Sequence, residues 1–373
     1  MKHLKLFNHF SARLFLTAVF LLALVAGITS PAAAASQSAF GAVYTMTNAA
    51  SGNKVLVYDR SSDGSLAFQG AYATDGLGSG TGLGSQSAVT LSHNNHWLFA
   101  VNAGSNQISS FAVTENGLEL VDVVNSGGTL PVSLTSYKDW LYVLNAGGSG
   151  NISGFAVEQD GSLSLLTGSI QPVSNGGVGA APALAQIAFS SDGSTLAVTE
   201  KSTNLIDTYA VESGLAGAPV LNPSAGATPF GFAFDRHNHA IVSEASGSVS
   251  SYHIDGGQLD VISPAVVNTQ VAACWIAISN NGKYAYTTNA GSGTISSYQI
   301  AENGALTLLN PTAGMIGAGS SPVDMAFSNN GQTLYALANG AHTISIFGMN
   351  ADGSLALQAA VSVPVGVVGL AAR

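Results

Sequence analysis

The sequence predicts an all-β protein, a β-propeller of seven blades with four antiparallel strands each. Three observations carry that prediction: one phrase recurs seven times, its copies are spaced as single blades are, and each chain end holds part of a blade that the other end completes. The phrase is clearest in Leu98-Phe-Ala-Val-Asn-Ala-Gly-Ser-Asn-Gln-Ile-Ser-Ser-Phe111, in Leu141-Tyr-Val-Leu-Asn-Ala-Gly147 with Ile152-Ser-Gly-Phe155, and in Tyr284-Ala-Tyr-Thr-Thr-Asn-Ala-Gly-Ser-Gly-Thr-Ile-Ser-Ser-Tyr298. Weaker copies begin at Val43, Leu196, Ala240 and Leu334. A marker residue taken to end the second strand falls at Asn48, Asn102, Asn145, Glu200, Glu244, Asn289 and Asn339, in steps of 43 to 55 residues. One blade takes about 40–50 residues. The two longest steps coincide with Gly/Ser-rich insertions near 76–84 and 174–180, the first of them read as flexible.

Within a unit the elements follow from period and punctuation. The last complete unit has an inner strand at 323–328, an Asn-Gly hairpin, a second strand at 333–337, a third at 343–347 and, after Asp352-Gly353, an outer strand at 355–361. These runs are short and rich in β-branched and aromatic residues, and Asn-Gly and Asp-Gly turns separate them, which excludes a helical solenoid. The first unit starts directly at a second strand, 42–46, while 367–372 reads as an inner strand with nothing after it. Joined, the two close the ring and remove its exposed edges.

Residues 1–35 read as a secretion signal: Lys2, Lys5 and Arg13 precede an apolar run over 14–28, and Ser30-Pro31 and four alanines follow. The remaining 36–373 is expected to form a single propeller domain, exported and monomeric. It carries seven Lys and Arg against twenty Asp and Glu, a formal charge of −13. That acidity argues against nucleic acid and anionic membrane surfaces as partners. Charged residues make up 8% of the chain against about 25% in ordinary domains, as sheets buried on both faces require. Cys274 is the single cysteine, so no intramolecular disulfide forms.

In a propeller the loops from second to third strands open on one face, here called the upper mouth, and the first-to-second hairpins on the other. Five markers are Asn, but two neighbouring blades replace it with Glu200 and Glu244. A departure shared by two neighbours in an otherwise regular repeat singles them out as candidate catalytic residues, together with Lys201. Asp207, Gln186, Trp275 and Asp324 are placed at the same mouth as ligand-binding candidates. Paired carboxylates beside a lysine and an aromatic suit general acid/base chemistry or the binding of a cation or sugar. His93, His96, His237 and His239 fall in the opposite hairpins and read as exposed turn residues, and Cys274 as a buried apolar one. No metal or cofactor is expected.

The phrases Gln186-Ile-Ala-Phe-Ser-Ser-Asp-Gly193, Tyr284-Ala-Tyr-Thr-Thr-Asn-Ala-Gly291 and Asp352-Gly-Ser-Leu355 resemble the seven-bladed propeller lactonases, which include 6-phosphogluconolactonase-like and carboxymuconate-lactonising proteins. The resemblance spans the chain beyond residue 35 and implies that fold and a lactonase activity. In that family a glutamate ending a second strand sits with arginines and a histidine around an anionic substrate. Glu200 falls at the glutamate, whereas Leu184 or Ala185 stands at the arginine position. Two functions follow: hydrolysis of a small uncharged lactone or ester, with Glu200 as base, Glu244 as acid or water-holder and Lys201 for the oxyanion, or noncatalytic recognition of a cation, glycan or protein at the acidic mouth.

Overall fold

Alternating apolar runs closed by Asn and Asp turns give hairpin after hairpin, and in the computed structural model every regular element of the described residues, 40–373, is a strand. The leader expected over 1–35 lies outside the described residues. Among the described residues no helix is long and apolar enough to cross a membrane. The strands form seven antiparallel sheets. Inner strands of blades two to seven are Val89–Leu91, Pro131–Tyr137, Leu184–Phe189, Pro229–Phe234, Ala273–Ile278 and Pro322–Phe327. Each lies against the next around the ring. In the third and fourth blades the outer edge is split into two short pieces, Leu163–Leu165 with Gln171–Pro172 and Leu215–Ala216 with Val220–Pro223.

The first blade is shared, as the incomplete ends predict. Val368–Ala372 pairs antiparallel with Gly41–Met46, with Val43 opposite Ala372 and Met46 opposite Val368. Lys54–Arg60 and Leu66–Ala73 complete that sheet. The seam is reinforced by Arg373 N–H donating to the Ala42 carbonyl at 2.9 Å and Thr45 Oγ1 to the Val368 carbonyl at 3.2 Å. Neighbouring blades are tied by buried tyrosines of the second strands: Tyr142, Tyr286 and Tyr335 donate to the carbonyls of Gly214, Gly353 and Gly64 in the next blade. The last of these crosses the seam.

Along the second strands side chains on both faces are buried, whereas the outer strands are largely exposed, so the charges that the chain does carry have little room within the blades. Two markers depart from expectation. The second strands of blades one and seven end at Met46 and Ala338, so Asn48 and Asn339 lie in the loops beyond them. Asn48 uses that position, at φ 49°, to hold the 76–84 insertion: its amide donates to Ser79 Oγ at 2.9 Å and to the Thr81 carbonyl at 2.6 Å, and its Oδ1 accepts the Ser79 N–H. The segment read as flexible is therefore held by Asn48 and Ala49 over residues 78–81.

Candidate functional site

The insertion continues into the centre of the ring. Ser85 Oγ donates to the Val132 carbonyl of blade three at 2.7 Å, and Gln86 N–H to the Ala185 carbonyl of blade four at 3.3 Å. The Gln86 amide spans to blade six, giving Nε2 to the Ile276 carbonyl at 2.9 Å and accepting the Ile276 N–H at 3.3 Å. The Ser87 carbonyl accepts the Leu134 N–H at 2.8 Å. Contacts to blades this far apart in the ring are possible only from the central channel, so Ser85-Gln86-Ser87 forms a plug. Gly231 is the residue that admits it: a Cβ there would fall 2.3 Å from Gln86 Oε1.

Above the plug, a cavity of about 300 Å³ is lined by Gly82 to Ser85, Trp275, Val323, Asn339, Val368 and Gly369. Trp275 is fixed by its indole N–H to the Ser85 carbonyl at 3.2 Å and by Phe230, whose ring centroid lies 4.9 Å away. Lys201 reaches the same segment from blade four. Its ammonium donates to the Gly84 carbonyl at 2.7 Å and sits 4.7 Å from the centre of the Phe230 ring. Burial pulls the Lys201 pKa down, and its charge in turn lowers that of the nearby Cys274 thiol. Burial of Cys274 outweighs that pull and raises the thiol to about 12, which leaves it protonated and inert at neutral pH.

Glu200 and Glu244 occupy the interior of their blades. In blades two, three and six, where an Asn ends the second strand, its amide bonds a serine on the third: Asn102 to Ser109 at 2.7 Å, Asn145 to Ser153 at 3.2 Å and Asn289 to Ser296 at 2.9 Å. Glu244 keeps this pattern, accepting from Ser250 Oγ and, at 2.6 Å, from Ser248 Oγ. Burial raises its pKa, and the two serines oppose the shift. Glu200 instead faces Asp207, which stands where the serine would be. Glu200 accepts from Ser174 N–H at 3.1 Å, Ser174 Oγ at 2.6 Å and Thr203 Oγ1 at 2.5 Å. Among the described residues no hydrogen bond joins Glu200 to Glu244 or either to Lys201.

Neither oxygen of Asp207 has a donor. Burial first, and the Glu200 charge second, push its pKa up to about 8, so a proton on Asp207 directed at Glu200 satisfies the pair. The folded state thus holds a proton that the unfolded chain, with an ordinary carboxyl near 4, releases. Its contribution to stability is full below pH ~4 and is lost as pH rises towards about 8. Asp207→Asn mimics the protonated form. It is expected to flatten this decline and to melt above the wild type at pH 8, and a wild-type melting temperature equal or higher there contradicts the assignment.

Gln186 and Asp324 lie at the hub, but their polar atoms are used between inner strands. Gln186 exchanges both amide bonds with the backbone of Phe232, at 2.9 and 2.7 Å. Asp324 accepts the N–H groups of Met325 at 2.8 Å and Leu370 at 3.1 Å. Burial pushes its carboxyl up to about 8 even so, against the pull of those N–H groups and that of Ser87. Of the sequence candidates, Trp275 alone lines the mouth cavity, and Lys201 flanks it. The plug and its Gln86 were missed, because a Gly/Ser-rich run carries no sign of which distant backbone it will meet. On the opposite face His93, His96 and His237 are exposed, as expected. His239 is buried, at 7% exposure, and is not the exposed turn residue predicted.

Comparison with known proteins agrees with this architecture. The family model described as "Lactonase, 7-bladed beta-propeller" matches residues 42–178 and 240–367. No curated protein matches. Similar solved structures include a 6-phosphogluconolactonase candidate from Bacteroides uniformis (TM-score 0.73, 20% identity, covering 90% of this chain and 100% of that one). A second such candidate, from Bacteroides fragilis, has a TM-score of 0.69 at 20% identity and covers 89% of this chain and 98% of that one. The periplasmic gluconolactonase PpgL of Pseudomonas aeruginosa has a TM-score of 0.72 at 18% identity, with 89% and 98% covered. At these identities the likeness is one of fold. The residues between the two matched stretches, 179–239, hold Gln186, Glu200, Lys201 and Asp207.

Proposed function

We propose hydrolysis of a small uncharged lactone or ester as the reaction of this chain, which belongs to the seven-bladed β-propeller lactonase family. The observation that carries the proposal is the mouth cavity, about 300 Å³ with Trp275 in its wall and the half-buried Lys201 ammonium beside it. That volume lies at the small end of ligand sites. A phosphorylated or multiply carboxylated substrate calls for paired guanidinium groups. Among residues 36–373 the arginines are Arg60, Arg236 and Arg373, and none lines this cavity.

In the proposed reaction Trp275 packs against the substrate ring and Lys201 offers its ammonium to the oxyanion that forms as water attacks the carbonyl. Glu200, next to Lys201 in the chain, takes the proton of that water once Ser174 and Thr203 release its carboxylate, and returns it to the alkoxide that leaves as the ring C–O bond of the tetrahedral intermediate breaks. Glu244, sequestered by Ser248 and Ser250, holds the neighbouring blade's turn in register and serves as water-holder only if those serines turn aside. The same proposal takes the protein to be exported, supported by the leader-like residues 1–35 and by the periplasmic structural neighbour.

A panel of neutral and phosphorylated lactones tests the assignment. Turnover is expected for neutral members alone, and Lys201→Met should lower it by about 100-fold, as loss of one oxyanion donor does. Preference for phosphorylated members, or equal turnover by Lys201→Met, contradicts it. A second reading, a noncatalytic binding propeller, is favoured by the enclosure of both glutamates within their blades. Saturable binding of the neutral lactones at the mouth without any turnover selects that reading.

A further inference from the structure

The hairpin between the first and second strands of blade five departs from its counterparts in a concerted way. In blades two, four, six and seven this turn is built by a serine and an Asn or Asp two residues on. Ser92 with Asn94, Ser190 with Asp192, Ser279 with Asn281 and Ser328 with Asn330 bond each other at 2.7 Å, and each pair accepts two N–H groups of the turn. Blade five has Asp235 at the serine position, His237 at the Asn/Asp position and His239 two residues beyond. Asp235 Oδ1 alone accepts the N–H groups of His237 at 2.8 Å and His239 at 2.9 Å. One carboxylate therefore builds the turn, which needs neither imidazole.

Both imidazoles nonetheless gather at the other oxygen of Asp235. His239 Nδ1 lies 2.8 Å and His237 Nδ1 4.0 Å from Asp235 Oδ2. One donor atom from each of the three residues falls within 4.8 Å of the others. With metal–ligand bonds of about 2.0–2.2 Å, tetrahedral donors stand ~3.3 Å apart, a value those two distances bracket. Asp235 and His239 are buried, and a hairpin of blade six closes over the His239 ring through Gly304, where a Cβ would come 2.6 Å from His239 Cγ. His237 is open to solvent. Beside it runs a groove of about 270 Å³ to which Asp235, His237, Lys283 and Glu302 contribute.

We infer that Asp235, His237 and His239 form a binding site for one divalent transition metal ion of the zinc and cobalt class, on the face opposite the lactone mouth. Two imidazoles and a carboxylate suit such borderline ions better than calcium or magnesium, which take oxygen donors. On binding, the ion takes the place of the proton between His239 Nδ1 and Asp235 Oδ2, and His239 ligates through Nδ1 as the neutral imidazole with its proton on Nε2. Three protein ligands leave one coordination position, and the groove supplies access for water or a small carboxylate to fill it. Asp235 and both histidines lie in a first-to-second-strand hairpin, on the face opposite the mouth, so the inference stands apart from the proposed hydrolysis.

Titration of the full chain, prepared without a histidine tag, with Co²⁺ followed by visible absorption and with Zn²⁺ followed by calorimetry tests the inference. The wild type is expected to bind one equivalent of each and to give the intense bands of four-coordinate cobalt. The exposed His237 allows a variant that keeps the fold: His237→Ala, checked by circular dichroism, should weaken binding at least 10-fold and lose the bands. The paired variant His93→Ala/His96→Ala should bind as the wild type does. No saturable binding by the wild type, equal affinity in His237→Ala, or loss in the His93/His96 variant alone would overturn the site.

Discussion

Removal of residues 365–373 is expected to abolish the native ring. Val367, Val368 and Leu370 are buried in the seam. Burying such side chains contributes about 1.5–3 kcal/mol each, so losing the three approaches the whole 5–15 kcal/mol of a typical domain. The deletion also strips the inner edge of Gly41–Met46 of its ladder and leaves the buried Asp324 without the Leu370 N–H. The truncated chain should show no cooperative thermal transition and should elute as aggregate, whereas a melting temperature matching the full chain would refute closure through the shared blade.

Gln86→Ala is expected to be the most damaging single truncation at the hub. Gln86 is 7% exposed, and its amide meets both the carbonyl and the N–H of Ile276. Alanine leaves those two backbone groups unpaired in a closed channel, at roughly 1–3 kcal/mol apiece, besides the cavity it opens. A loss of about 2–5 kcal/mol in chemical denaturation should follow. An effect below ~0.5 kcal/mol, the size of ordinary surface substitutions, would mean that the plug does not brace the ring.

The two expectations differ in how they were reached. Ring and seam were legible because a repeat writes its period into the chain, and because 42–46 and 367–372 each lack the partner that the other supplies. The plug was not, since the partners of Gln86 are backbone groups 190 residues away. The glutamates show an intermediate case. Their replacement of Asn was plain in the repeat, but the face they occupy follows from a second pattern, the third-strand residue seven positions after Asn102, Glu200 and Asn289. It is Ser109 and Ser296 beside asparagine and Asp207 beside Glu200, while blade five keeps Ser250 beside Glu244, so marker and partner change together at Glu200 alone. That pairing turns Glu200 into the blade and sets Asp207 against it, leaving Lys201 to face the mouth. The blade-five hairpin was readable in the same way: aligned with its counterparts, Asp235 replaces a serine just where two histidines enter.

The reaction assigned to the mouth needs Glu200 to turn out of its blade and act as base with Lys201, and the turnover number of Glu200→Gln on a neutral lactone tests that most directly. Glutamine preserves the shape of the side chain and can still accept from Ser174 or Thr203. Loss of a general base predicts a fall in kcat of about 100-fold or more, with KM and the thermal transition little changed. A kcat equal to that of the wild type would contradict the assignment.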